Sequence, residues 1–309
     1  LALICLISIH GCKKSILDEN PPDIIAAETL LKNYEGFEAG INGLYSLVRQ
    51  EWEGLAGTTS VASDMFMNGT DNLTTNHVVS GINTIYQDWG AQNNSTNVFF
   101  ADAFGWLYNI VNTANSIIIH AEDAGVDWEG GSSSAEINKN RIIAEAKAAR
   151  AWAYRHLSFN WGDVPLNLQE AKGSTNRTDW ERAPLATVRR QILSDLIEAE
   201  PYIPVEASQP GRMTKGAVEH YIAEMYLTID KPDSALYWAD KVVNNPSYKL
   251  ITSRYGVNAA KPGVAFMDMF LEGNTDRQEG NTEALWVFQF KRQVLGGGES
   301  LQKRQHTSR

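Results

Sequence analysis

The sequence predicts an all-α protein of paired helices interrupted by long, loop-rich insertions. Apolar residues recur at helical spacing in one segment after another along the 309 residues. The longest such segment carries a stripe of alanines, small enough for a second helix to pack close. A single stretch, Ala284–Phe290 (ALWVFQF), alternates as a strand does.

The N-terminus is read first. Leu1 to Ile9 is apolar except at Ser8, and His10, Gly11 and Cys12 precede the polar Lys13 and Lys14. A membrane-spanning helix needs about 20 apolar residues, so this run is too short to be one. It matches the apolar region of a secretory signal ending in a small residue. Residues 1–11 are therefore expected to leave as a signal peptide, with Cys12 becoming the first mature residue. A cysteine at that place resembles the lipid acceptor of bacterial lipoproteins. Cys5 and Cys12 are the only cysteines, so the exported chain would hold no free thiol and no disulfide. Residues 12–32 read as a lipidated N-terminus and linker, stiffened at Pro21–Pro22, and 33–309 as the body.

Within the body, Tyr34–Gln50 places Phe37, Ile41, Leu44, Tyr45 and Val48 at helical spacing. The region 51–97 is loop-like, rich in Gly, Asn, Thr and Ser. Val98–Glu122 is a strong helix, and Ile137–Asn160 the strongest, its stripe made of Ile142, Ala146, Ala149, Ala153 and Leu157. Gly162-Asp163-Val164-Pro165 stops it. Ala186–Ala199 ends before Pro201 and Pro204. Thr214 is the expected N-cap of a helix to about Ile229. Pro232 opens the next, to Val243, with Ala235, Ala239, Val242 and Val243 expected inward. The 219–247 pair fits a tetratricopeptide unit at Ile222, Ala223, Tyr226 and Ala235, and departs from it at Ala239, Val242 and Pro246. Beyond Tyr248 the chain is irregular apart from the strand candidate.

Composition narrows the function. A formal net charge of −10 argues against nucleic acid, whose phosphates require a basic surface. The six histidines show no paired metal-ligand spacing, so no metal or other cofactor is expected. The Gly-x-Ser-x-Gly elbow and the phosphate-binding loop are both absent from the sequence. With 37 acidic residues, counting carboxylates says nothing about glycoside hydrolysis.

Four segments in order resemble the SusD/RagB family of outer-membrane nutrient-binding lipoproteins of Bacteroidetes. They are the lipoprotein start with Ile16-Leu17-Asp18 and Pro21-Pro22-Asp23; Trp106-Leu107-Tyr108-Asn109-Ile110 leading to Ala114-Asn115-Ser116-Ile117; Ala144-Glu145-Ala146 through Arg150-Ala151-Trp152-Ala153-Tyr154 to Trp161-Gly162-Asp163-Val164-Pro165-Leu166; and Arg212-Met213-Thr214-Lys215-Gly216-Ala217 running into the last hairpin. The resemblance implies four tetratricopeptide-like pairs with a loop-rich face, continuing in family members beyond the point reached by Arg309. It implies a non-enzymatic lipoprotein of the cell outer membrane, surface-exposed, that captures oligosaccharides or, in some members, peptides. Its partner would be a SusC-type TonB-dependent transporter.

Sugars present apolar C–H faces and many hydroxyls, so their sites pair flat rings with amides and carboxylates. The loop region offers Trp52, Asp64, Asn68, Tyr86, Trp89 and Asn94. Trp89 with Asn94 five residues on is the expected stack-and-clasp pair. Trp106, Tyr108, Trp152, Tyr154 and Trp161 lie on helices and are expected in the core, and Trp286 in the core or an interface. The rival readings are a tetratricopeptide-type adaptor for proteins or peptides, favoured by a bare concave groove, and an exported glycoside hydrolase, favoured by a carboxylate pair in a cleft.

Overall fold

The computed structural model describes residues 27–52, 94, 96, 98–172, 177–291, 294 and 297, with the backbone alone at 98 and 99. Cys12, the signal and most of the linker lie outside the described residues.

One turn of helix, Ala27–Leu30, leads into α1 (Tyr34–Arg49), which runs on as a 3₁₀ turn, Gln50–Trp52. Then come α2 (Val98–His120), α3 (Ala135–Trp161), α4 (Leu185–Ala199), α5 (Lys215–Thr228) and α6 (Pro232–Val243). Each helix from α2 onward packs on the one before it, and α1 lies across α2 and α3. This nearest-neighbour stacking is the logic of a helical repeat array.

Local chemistry fixes the helix ends. The side chains of Asn33, Ser134 and Thr214 accept the backbone N–H of Gly36, Ile137 and Ala217, so α1, α3 and α5 begin on polar N-caps. Gly162 closes α3 with φ 73°, a conformation that a side chain resists. The residues after it tie two helices together. Asp163 Oδ1 accepts the N–H of Leu185 at 2.8 Å, capping α4 from across the connection. Val164 is buried and pairs with Ala183 in an isolated antiparallel bridge, and Tyr108 donates its hydroxyl to Pro165 O.

The core runs the length of the array. The predicted α3 stripe is fully buried, but so are Ala144, Ala148, Ala151, Trp152 and Tyr154. α3 is thus enclosed on nearly every side, because its alanines let α1, α2 and α4 approach from different directions. Of the helical aromatics, Trp106, Trp152 and Tyr154 are buried, while Tyr108 and Trp161 pack partly buried against the core.

Two buried polar networks join the elements. In the first, Arg141 pairs with Glu38 and Glu145, while Arg212 contacts Glu145 at 2.9 Å, Glu38 at 2.6 Å and Asn42 at 2.9 Å. Burial works against the Glu38 carboxylate, but Arg212 and Arg141 outweigh it and hold its pKa below the usual range. In the second, Arg150 grips Asp195 with two hydrogen bonds, 2.8 and 2.7 Å, and Asn115 at 2.8 Å. Asn115 in turn donates to the carbonyls of Asn167 and Gln169. The residues shared with the SusD/RagB pattern, Asn115, Glu145, Arg150 and Arg212, are therefore framework residues.

Two expectations need correction. Ala284–Phe290 forms no strand: among the described residues it has no ladder partner, and it crosses the helices as an irregular extended segment. Its alternation arises because Leu285, Trp286 and Phe288 pack against the helical core. Val243 does not face inward but is 75% exposed, and Leu236 and Tyr237 are exposed on the same helix. In α6 only Ala235 is buried, since among the described helices α5 is its main packing partner.

Removing one member of a buried pair leaves its partner charged and desolvated. Glu145→Gln should lower the unfolding free energy by about 3–5 kcal/mol in urea titration. Asp179→Asn, which breaks the exposed Arg177–Asp179 pair, should leave the midpoint unchanged.

Candidate functional site

The 284–290 segment divides two clefts. On one side lies an open cleft of about 560 Å³, lined by Trp52, Met269, Phe270, Trp286, Val287, Phe288 and Phe290, with Thr275, Asn281, Glu283, Ala284 and Gln289 completing it. On the other side a smaller, more polar cleft of about 250 Å³ sits between α1 (Asn42, Tyr45, Ser46, Arg49) and the turn Gln209–Arg212. Phe288 and Gln289 line both.

The ring wall is anchored in the core. Trp286 donates its indole N–H to Gly211 O at 2.9 Å and stacks at a tilt on Phe288, with centroids 4.6 Å apart. Its edges meet Tyr45, Trp152 and Tyr221 at 6.3 to 6.5 Å. Across the cleft, Phe270 packs edge-on against Phe266, 5.1 Å away, and both rings are exposed. Arg49 lies over Phe290 at 5.5 Å and donates to Gln289 O at 3.3 Å, tying the far end of the wall to α1.

Most polar groups of the large cleft are committed to their own loops. Asn281 Oδ1 accepts from Ala284 N, and its amide donates to Thr275 O. Glu283 accepts from Ile251 N at 2.9 Å, and Gln289 donates to Asp276. Glu283 is the single charged side chain among the described lining residues. Flat apolar faces, rather than ion pairing, are what this surface offers a ligand.

The sequence-derived candidates divide accordingly. Trp52 lines the cleft. Asn94 is exposed, and its Oδ1 accepts from the backbone N–H and the hydroxyl of Thr96, the local turn expected of an Asn ahead of a helix. Asp64, Asn68, Tyr86 and Trp89, and with Trp89 the Trp89–Asn94 pair, lie outside the described residues. Met269, Phe270 and the open side of 286–290 were missed by sequence reasoning. The aromatic alternation of ALWVFQF is the available signal, but it places Trp286 in the core or an interface and does not single out a ligand-facing side.

Behind Trp52 lies a buried acid. Glu51 Oε2 accepts the Trp52 indole N–H at 3.0 Å, and Oε1 is 3.7 Å from His156 Nε2. Burial pushes the Glu51 carboxyl up to about 7, against the opposing Trp52 hydrogen bond and the Arg155 charge. Burial, then Arg155, pushes His156 down to about 3. Stability should respond with opposite signs. Folded Glu51 holds its proton to higher pH than the unfolded chain, so its contribution falls as pH rises from about 4.5 to about 7. His156 resists protonation in the fold, so its contribution falls as pH drops from about 6.5 to about 3. Glu51→Gln should therefore be more stable than wild type near pH 8, by at most roughly 3 kcal/mol, with the gap closing near pH 4. Urea titrations at the two pH values check this.

Comparison with known proteins places this architecture. Residues 17–227 match the SusD-like family model described as "Starch-binding associating with outer membrane". SusD-like protein P2 of Formosa agariphila is 27% identical over 252 residues, 79% of this chain and 45% of the relative. A SusD-like protein of Bacteroides ovatus is 28% identical over 202 residues, 60% of this chain and 32% of the relative. The chain thus spans half or less of the length of these relatives. A laminarin-binding SusD-like protein shares the fold with a TM-score of 0.60 at 24% identity, over 72% of this chain and 47% of that one. Surface glycan-binding protein A of Bacteroides thetaiotaomicron, solved with laminarihexaose, shares it with a TM-score of 0.63 at 16% identity, over 84% of this chain and 50% of that one. With its helical array in place and two thirds of its length matched by the family model, the chain belongs to the SusD-like family.

Proposed function

We propose that the protein is a lipoprotein of the outer membrane, anchored through Cys12, that binds oligosaccharides at the cell surface and passes them to a SusC-type TonB-dependent transporter. The observation that carries the binding half is the cleft, in which Trp52, Phe270, Trp286 and Phe290 surround a sugar-sized space with few free charges. Family membership and two structural neighbours named for laminarin or crystallised with laminarihexaose support the same ligand class. Capture without bond cleavage is the mode we favour, since the described lining offers flat rings and, among the described residues, Glu283 as its one carboxylate.

Calorimetric titration with laminarihexaose and maltohexaose tests the reading. Wild type should bind one or both, and Trp52→Ala should weaken binding by about tenfold, as expected for a lost stacking face. Binding that survives Trp52→Ala but not Trp89→Ala would move the site from the cleft to the loop around Trp89. No binding to either glycan would favour the peptide reading. Cys12→Ser should release the protein from the membrane fraction of expressing cells.

A further inference from the structure

Glu51 and Trp52 are adjacent in the 3₁₀ turn Gln50–Trp52 but face different surroundings. Trp52 forms part of the large cleft, while the Glu51 side chain is buried beneath it and still reaches the indole N–H at 3.0 Å. No other hydrogen bond to that indole is found among the described residues. A single carboxyl thus links the protein interior to one wall of the cleft. We infer that Glu51 is a positioning residue for Trp52, and that its ionised form holds the indole in place more firmly than its protonated form, so that capture in the cleft follows the charge state of this one carboxyl. The effect on capture rests on the glycan-binding reading, whereas the positioning of Trp52 does not.

The surroundings of Glu51 explain why its charge state is open to change. From α3 come His156, 3.7 Å away, and Arg155. Arg155 is held by Glu224 of α5 through two hydrogen bonds, 2.7 and 2.5 Å, so most of its charge is already matched. From α5 comes Tyr221, which carries the Arg155 guanidinium over its ring at 5.3 Å. None of these is a close cation dedicated to Glu51. Desolvation therefore dominates and brings its proton equilibrium close to neutrality, while His156 stays uncharged through that range. An ionised carboxylate accepts a charge-assisted hydrogen bond from the indole, which is shorter and stronger than one to a neutral acid. Once protonated, the carboxyl grips the indole only as a neutral acceptor.

The test uses the whole chain labelled with 5-fluorotryptophan, its Trp52 resonance assigned by comparison with Trp52→Phe. In wild type the Trp52 ¹⁹F signal should titrate with a midpoint near 7, and in Glu51→Gln it should stay fixed between about pH 5.5 and 8.5. Laminarihexaose affinity, read by calorimetry, should fall several-fold from about pH 8 to about pH 6 in wild type and be flat in Glu51→Gln. A Trp52 signal that does not move in wild type, or that moves equally in Glu51→Gln, overturns the assignment. A titrating signal without laminarihexaose binding at either pH supports the positioning role and overturns the effect on capture.

Discussion

The fold depends most on the buried charge cluster of Glu38, Arg141, Glu145 and Arg212. Four desolvated charges are tolerable only because each finds opposite charge within hydrogen-bonding range. The geometry that satisfies them is narrow, and it fixes three separate parts of the chain. Glu38 belongs to α1, Arg141 and Glu145 to α3, and Arg212 to the turn before α5. Once Arg212 is fixed, its neighbour Gly211 presents a carbonyl to the Trp286 indole. The ring wall of the cleft is thus set by an ionic contact in the interior, and an apolar core alone would not impose that register.

The aromatic rings extend this arrangement outward. Trp106 contacts Trp152, Trp152 contacts Trp286, and Trp286 contacts Phe288, so adjacent rings link the centre of the array to the open cleft. Rigid rings carry little conformational entropy, so the wall they form keeps its shape without reordering. The polar residues around the cleft mainly shape its loops, so the surface it presents is set by ring placement more than by donors and acceptors.

Much of this was legible in the sequence, for identifiable reasons. Helices α1 to α6 follow from periodicity and caps, and Pro232 and Thr214 mark their starts as read. Asn115, Arg150 and Arg212 stood out by resemblance, but their work is holding buried carbonyls and carboxylates, which no spacing rule reveals. The α3 stripe understated burial because alanine is compatible with any packed face. Ala284–Phe290 misled because alternation reports two unlike faces, and a lone extended segment lying on helices has them as surely as a sheet strand. Val243 misled because periodicity marks an apolar face without saying what covers it. Trp52 was recoverable as a loop aromatic, whereas Met269 and Phe270 reach the cleft through a connection with no regular pattern.

The connection between α3 and α4 has a consequence for how such chains vary. Asp163 capping Leu185, and Val164 paired with Ala183, clamp the two ends of that connection to each other. The helices on either side are therefore positioned by its ends and by residues 167–171, which hydrogen-bond to Asn112, Asn115 and Ser116 of α2 and to Tyr154 of α3. Doubling the length of a flexible closed loop adds only about 0.6 kcal/mol of closure entropy. Insertions between residues 177 and 182, beyond the stretch bonded to α2, should thus be tolerated by the array, making that part of the connection a place where new surface can be added without disturbing the frame.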